Sequence, residues 1–341
     1  MMLPFRSHCL LTSHITNALL RTPTRNVTVS VVGAASDVGS HVSLMLKQNP
    51  HVKHLHLYDD DLSVTAVGME LEAIPQGPEL SIYSAPDLSE AIKKADLVVM
   101  LAKSYTPADK TSDQMLVTTA PEIQRLCKAF ADNNPYAFLA ISTNPINSVV
   151  PLAASLLRKY NAYNPLKLLG ITQVDNARSR AIIATSLRVK PSTLDLPVIC
   201  GHSEQTIVPL FSNLTVPNFT PDDPQSDWLT RLVRKTGADN RKTDNETLVL
   251  AWSITQFVLG VVTAIQGNRS LLSCFTENKN FGTKYFAGPT LLGGDGIVQL
   301  VEPFNMSEYE KNLLHCALPV LTRDIAVGET YFRDLDGSKA H

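Results

Sequence analysis

The stretch that decides the fold is Val27 to Asp59, VTVSVVGAASDVGSHVSLMLKQNPHVKHLHLYD. Val27, Val29, Val31 and Val32 make a short buried strand. The chain then turns through Gly33-Ala34-Ala35-Ser36-Asp37-Val38-Gly39, and residues 40–47 are helical. A second strand, residues 54–58, ends in Asp59, twenty residues after Gly39. Strand, glycine turn, helix, strand, acid is the order of a dinucleotide-binding unit. Gly33 makes the tight turn. Small residues let the backbone approach a pyrophosphate at the helix N-terminus, and Asp59 is placed to accept from a ribose hydroxyl. The middle position, where glycine is normal, holds Ser36, and Asp37 follows it. Both are good helix N-caps. A carboxylate there would repel the pyrophosphate.

Working outward, further strands at residues 95–102 and 137–142 are almost wholly apolar and are separated by helices at 115–133 and 151–160. That pattern predicts a parallel sheet covered on both faces, a Rossmann-type doubly wound α/β fold. Between them residues 103–114, KSYTPADKTSDQ, are polar and follow a strand end, where open parallel sheets bind ligands. Beyond residue 168 the expected elements are helices at 175–187, 247–266 and 307–327 and a strand at 194–200. Ser307 and Glu310 are spaced as a capping box.

The chain has 341 residues, 44% hydrophobic and 18% charged, enough for two domains with full cores. A net charge of −2 gives no electrostatic case for nucleic acid or a membrane surface. Arg231, Arg234 and Lys235 read as a solvated helix face. Five cysteines without CxxC spacing read as reduced thiols, not a zinc site. No run is read as approaching the ~18 apolar residues of a membrane span. Residues 1–36 contain no Asp or Glu but carry Arg6, Arg21 and Arg25 among Ser, Thr and Leu. Residues 1–25 therefore read as a mitochondrial transit peptide, and the expected location is the matrix.

Three residues point to a reaction. Asp175 and Arg178 lie three apart on one helix, so both face the same way. His202 stands in Cys200-Gly201-His202-Ser203, just after a strand. A carboxylate that fixes a histidine's tautomer poises it to donate and accept protons. A nearby arginine holds a carboxylate through two parallel hydrogen bonds. Alone, the three are an exposed helix pair and a loop histidine; the glycine turn upstream gives them weight.

Over residues 27–332 the chain resembles NAD-dependent malate dehydrogenases of the mitochondrial type. The stretches VVGAASDVGS, LHLYD, STNPINSVVP, YNPLKLLGIT, VDNARSRA and VICGHSEQTIVPL carry the likeness. The resemblance implies a Rossmann NAD-binding domain at 26–168 and a mixed α/β substrate domain at 169–334, assembled as a homodimer. It implies NAD as cofactor, held by Gly33, Ser36, Gly39, Asp59 and Asn144, and a small 2-oxo or 2-hydroxy acid as partner. His202 would be the proton shuttle and Asp175 its orienting partner. Arg178 and Asn144 would bind substrate, and residues 103–114 would form a lid.

The departures bear on the substrate. The family's lid carries two arginines; aligned without gaps, those positions are Thr106 and Ser112, and its glycines are Lys103 and Asp109. Glu204 and Glu246 replace small pocket residues. Loss of a buried charge partner costs roughly 2–5 kcal/mol of recognition. Lys103 or Lys110 could replace one arginine without its bidentate fork. Three readings stay open: malate and oxaloacetate with a rearranged lid, a 2-oxo acid lacking the second carboxylate, or a catalytically degenerate homologue with a binding or structural role.

Overall fold

The computed structural model describes residues 25–101, 111–217, 219–242 and 247–337. The proposed leader, lid residues Lys103, Thr106, Asp109 and Lys110, and Glu246 lie outside the described residues.

Six parallel strands form one wing of the sheet: β1 (Thr28–Val32), β2 (His54–Asp59), β3 (Glu79–Ser84), β4 (Leu97–Met100), β5 (Phe138–Ile141) and β6 (Leu168–Ile171). Their spatial order is 3-2-1-4-5-6. Helices α1 (Asp37–Lys47), α2 (Ser63–Glu72), α3 (Leu88–Ile92), α4 (Ser112–Asn133) and α5 (Ile146–Lys159) make the crossovers. Strand order reverses between β1 and β4, and ligands bind at such a switch point. The doubly wound α/β expectation holds. Its cause is visible in β4: Leu97 and Val99 face one layer, Val98 and Met100 the other, and all four are buried.

The sheet does not stop at β6. In the second half lie α6 (Gln173–Leu187), β7 (Val198–Cys200), β8 (Ile207–Pro209), α7 (Pro224–Lys242), α8 (Thr247–Ile265), β9 (Ser270–Glu277), β10 (Tyr285–Gly293), β11 (Gly296–Leu300) and α9 (Glu308–Gly337). β9 pairs antiparallel with β6, β10 with β9, and β7 and β11 both with β10. The three strands between 270 and 300 have no counterpart in the sequence reading. Gly288, Pro289 and Gly293 interrupt β10's apolar pattern.

One layer, α1, α2 and α8, covers one face; α3, α4, α5 and α9 cover the other. α8 corrects an expectation. It is 19 residues with mean hydropathy 2.0, long and apolar enough to cross a membrane by length and composition. Here Ile254, Phe257, Val258, Val261 and Val262 are fully buried against the sheet and α1, which accounts for an all-round apolar helix. Two boundaries also move. Residues 112–114, expected in a loop, form the first turn of α4, capped by Thr111 in a reciprocal box with Gln114. α9 runs ten residues past its expected end. Its expected capping box is present: the Ser307 N–H donates to Glu310 Oε2 at 2.7 Å and the Glu310 N–H to Ser307 Oγ at 3.3 Å.

Candidate active site

The first cavity, about 340 Å³, opens at the carboxyl ends of β1, β2 and β4. Gly33, Ser36, Asp59, Asp60, Glu122 and Arg125 are among its walls. Gly33 adopts φ +96°, which L side chains rarely reach. A Cβ at Gly39 would lie 2.0 Å from the Gly33 carbonyl oxygen, so only glycine lets α1 approach β1 here. Ser36 is the N-cap: its Oγ accepts from the Gly39 N–H at 3.0 Å and donates to the Gly33 carbonyl at 2.7 Å. Asp37 is exposed, in the first turn of α1, and does not line the cavity.

Asp59 closes the turn from the opposite side. Its Oδ2 accepts from the Ala35 N–H at 2.9 Å and its Oδ1 from the Asp61 N–H at 3.1 Å. A carboxylate oxygen has two acceptor positions, so each retains one toward the cavity. Beside it Arg125 grips Asp60 with two bonds, one of 2.8 Å, and the Tyr58 hydroxyl donates to Asp60 at 2.6 Å. The Arg125 guanidinium holds the Asp60 carboxyl below its usual range. Burial pushes the Glu122 carboxyl up, and its Oε2 is buried with no hydrogen-bond partner among the described residues.

The second cavity, about 490 Å³, is lined by Ser112, Asn144, His202, Glu204, Arg323 and neighbours. A narrow cleft joins it at His202 and Glu204 and contains Asp175, Arg178 and Arg234. Asp175 and Arg178 come from the first turns of α6, His202 from the loop after β7. His202 Nδ1 lies 2.6 Å from Asp175 Oδ2, with both side chains buried. The ionised carboxylate only accepts, so Nδ1 carries the proton and Nε2 is left for chemistry. The backbone entering this loop is strained: Cys200 has φ +83°.

His202 is also held through its backbone. Its N–H donates to Asn147 Oδ1 at 2.8 Å, and Asn147 Nδ2 donates to Asp324 Oδ2 at 3.1 Å on α9. Arg323 donates to the other oxygen of Asp324 at 2.9 Å. Asn147 stands in the quoted STNPINSVVP stretch, yet nothing in the sequence gave it this task. The preceding Asn144–Pro145 peptide is cis. Thus Asp175, Arg178, His202, Asn144 and Ser112 converge, Gly33, Ser36, Gly39 and Asp59 form the separate glycine-turn site, and Thr106 lies outside the described residues.

Arg234 is a correction. Arg231 and Lys235 are solvated, as expected, but Arg234 points into the cleft with His202. Its Nε and Nη2 donate to the Ile207 carbonyl at 3.1 and 2.9 Å, and Nη2 to the Gln205 carbonyl at 3.4 Å. Helical spacing could have found it: Ser226, Thr230 and Arg234 recur every four residues, and Ser226 and Thr230 are buried. Among the described residues, no group of three or more His, Cys, Asp or Glu side chains is placed to hold a metal ion.

Comparison with known proteins places the chain in a family. Residues 27–170 match the family described as lactate/malate dehydrogenase, NAD binding domain, and residues 172–331 match lactate/malate dehydrogenase, alpha/beta C-terminal domain. Malate dehydrogenase of Edwardsiella ictaluri is 33% identical over 309 residues, covering 89% of this chain and 98% of the relative. The mitochondrial malate dehydrogenase of Bos taurus is 31% identical over 316 residues, covering 91% and 93%. Among solved structures, Cryptosporidium parvum malate dehydrogenase superposes with a TM-score of 0.76 at 19% identity, over 90% of this chain and all of that one. The lactate dehydrogenase of the same organism, solved with lactic acid and β-nicotinamide adenine dinucleotide, gives 0.74 at 19% identity, over 89% and 98%.

Proposed function

The chain belongs to the lactate/malate dehydrogenase family, and from that premise we propose that it interconverts malate and oxaloacetate, or a closely related 2-hydroxy/2-oxo acid pair, with NAD. The observation that carries the reading is the buried contact of His202 with Asp175, with Arg178 beside it in the same cleft.

The glycine-turn cavity fits NAD: Gly33 and Gly39 keep the backbone clear of side chains, and Asp59 retains acceptor capacity. In this reading Ser36 and the α1 N-terminus face the pyrophosphate, and Asp59 holds the adenosine ribose. The nicotinamide, when bound, exchanges a hydride with the substrate carbon. The chain's own residues do the rest. Asp175 keeps His202 in the tautomer whose Nε2 can take a proton from the 2-hydroxyl or return it to the 2-oxo oxygen. It also stabilises the imidazolium that oxidation of the hydroxy acid leaves behind. Arg178 fixes the substrate's 1-carboxylate, and Asn144 orients the reacting end beside His202.

Four finer assignments belong to the same proposal. Residues 26–168 bind cofactor and 169–334 bind substrate. The acid-free leader, residues 1–25, directs the chain to the mitochondrial matrix, in keeping with the Bos taurus relative. The working unit is a homodimer of the mitochondrial type, and Thr106 and Ser112 stand where the lid's arginines would be.

The test is a titration of purified protein with NADH, followed by nicotinamide fluorescence, then an assay of oxaloacetate reduction. Saturable binding and reduction are expected. No binding at millimolar NADH would favour the degenerate reading. Binding without reduction of oxaloacetate but with reduction of other 2-oxo acids would move the substrate, not the chemistry.

A further inference from the structure

The cleft around His202 contains two arginines. Arg178 enters from α6, Arg234 from α7. Arg234 cannot swing away, because Nε and Nη2 are committed to the carbonyl oxygens of Gln205 and Ile207, in the turn that follows His202. Among the described residues these bonds leave Nη1 for another acceptor. Arg234 is half-buried, and a guanidinium partly withdrawn from water gains most from an anion at its remaining donors. Asp175 already serves His202. Glu204 borders the same cleft but is exposed and forms no ion pair with Arg234 among the described residues. Burial pulls the Arg234 guanidinium below its usual value, against the opposing influence of Glu204 and other neighbours.

We propose that Arg234 is the second anion-binding residue of the cleft and, with Arg178, selects 2-oxo acids that carry a second carboxylate. It supplies from α7 a cation that Thr106 and Ser112 do not carry. Arg178 takes the carboxylate next to the reacting carbon, and Nη1 of Arg234 takes the distal one. Glu204 lies near the same place and weakens the distal contact by like-charge repulsion. This rests on the reading of the cleft as a 2-oxo acid site.

Binding separates the two ideas. The full chain is titrated calorimetrically with malonate and with acetate, with and without NADH. Wild type should prefer malonate by roughly tenfold or more, because the second carboxylate gains charge-assisted bonds. Arg234→Gln should lose that preference, and Arg234→Lys should keep part of it. Glu204→Gln, at an exposed position that threatens no fold, should tighten malonate severalfold. In turnover, Arg234→Gln should raise KM for oxaloacetate at least tenfold, and by a much larger factor than KM for pyruvate. Equal losses on both substrates would mean that Arg234 only props the 205–207 turn, and would overturn the proposal. So would a malonate preference that survives Arg234→Gln, or one absent from wild type. If oxaloacetate is not reduced yet the malonate preference depends on Arg234, the functional reading fails and this one stands.

Discussion

His202 is fixed at two points, its ring by Asp175 and its backbone by Asn147, and these contacts divide the labour. The ring contact sets the proton's address; the backbone contact sets where the ring stands. His202→Asn should therefore abolish 2-oxo acid reduction, since an amide cannot shuttle a proton at neutral pH, while NADH affinity measured by fluorescence stays within about twofold. Undiminished turnover would remove His202 from the chemistry. A different residue tests the cofactor end. Burial raises the Glu122 carboxyl in the folded state. The folded chain thus binds that proton more tightly than the unfolded chain, and stability falls as pH rises through the interval between the two values. The penalty is complete above the folded-state value and absent below the ordinary glutamate value, near ~4.3. Glu122→Gln should accordingly raise the unfolding temperature at pH 7, and the gain should shrink toward zero as the pH is lowered to about 4. Asp60, lowered by Arg125, works with the opposite sign and loses its contribution in acid. A gain for Glu122→Gln that is the same at pH 7 and pH 4 would show that the carboxyl's charge is not the cause.

At the scale of elements, the glycine turn was legible because its constraint is local. Gly39 has no room for a Cβ against a backbone oxygen, and a backbone atom cannot rotate aside. Gly39→Ala should separate α1 from β1, cost about 1–3 kcal/mol in chemical denaturation and abolish NADH binding. Retained binding would show that α1 can shift without loss of the site. Strands β1, β2, β4 and β5 were equally legible: β4 and β5 are unbroken apolar runs because both faces are buried, and β1 and β2 keep apolar residues at alternate positions on either side of the glycine turn and α1. The hairpin strands β9 to β11 were not, because Gly288, Pro289 and Gly293 in β10 mimic turn signals and polar residues such as Ser270, Thr276, Glu277 and Gln299 break the apolar runs. The site divided in the same way. Asp175, Arg178 and His202 were readable from spacing and motif. Asn147, Asp324 and Arg234 act on the site only because α5, α7 and α9 converge on the loop after β7, which no local pattern encodes. Arg234 was hidden further by Arg231 and Lys235, whose solvated charges made the whole cluster look like surface. The start of α4 shows a local rule partly read: Thr111 and Gln114 form a capping box inside a stretch assigned to a loop. Thr111→Ala should destabilise that end by about 1 kcal/mol, seen as faster amide exchange in the first turn of α4 and unchanged exchange in α5.

For the whole molecule, the remaining question is what covers the outer side of the α1, α2 and α8 layer. α2 and α8 both pack on α1 and so lie over the same face of the sheet. α2 exposes Met69, with Leu62 just before it, and α8 exposes Leu248 and Trp252. Leu62 is 73% exposed and Leu248 69%, unusual for large apolar side chains on helices whose other faces are dry. Scattered apolar residues need no partner, but four in one layer, on or beside the two helices that pack on α1, are what a protein interface would bury. The homodimer proposed above is expected to use this layer. The arrangement is also economical for catalysis, because α8 is braced by α6, which carries Asp175 and Arg178. A partner pressed against α8 would therefore steady the substrate cleft from behind. Light scattering should find two chains per particle. Leu248→Glu with Trp252→Glu should give single chains that still bind NADH, since both side chains point to solvent in the single chain, but with kcat reduced at least severalfold. Single chains in the wild type would overturn the dimer. Single chains in the variant with undiminished kcat would keep the interface and refute the bracing of α6 through α8.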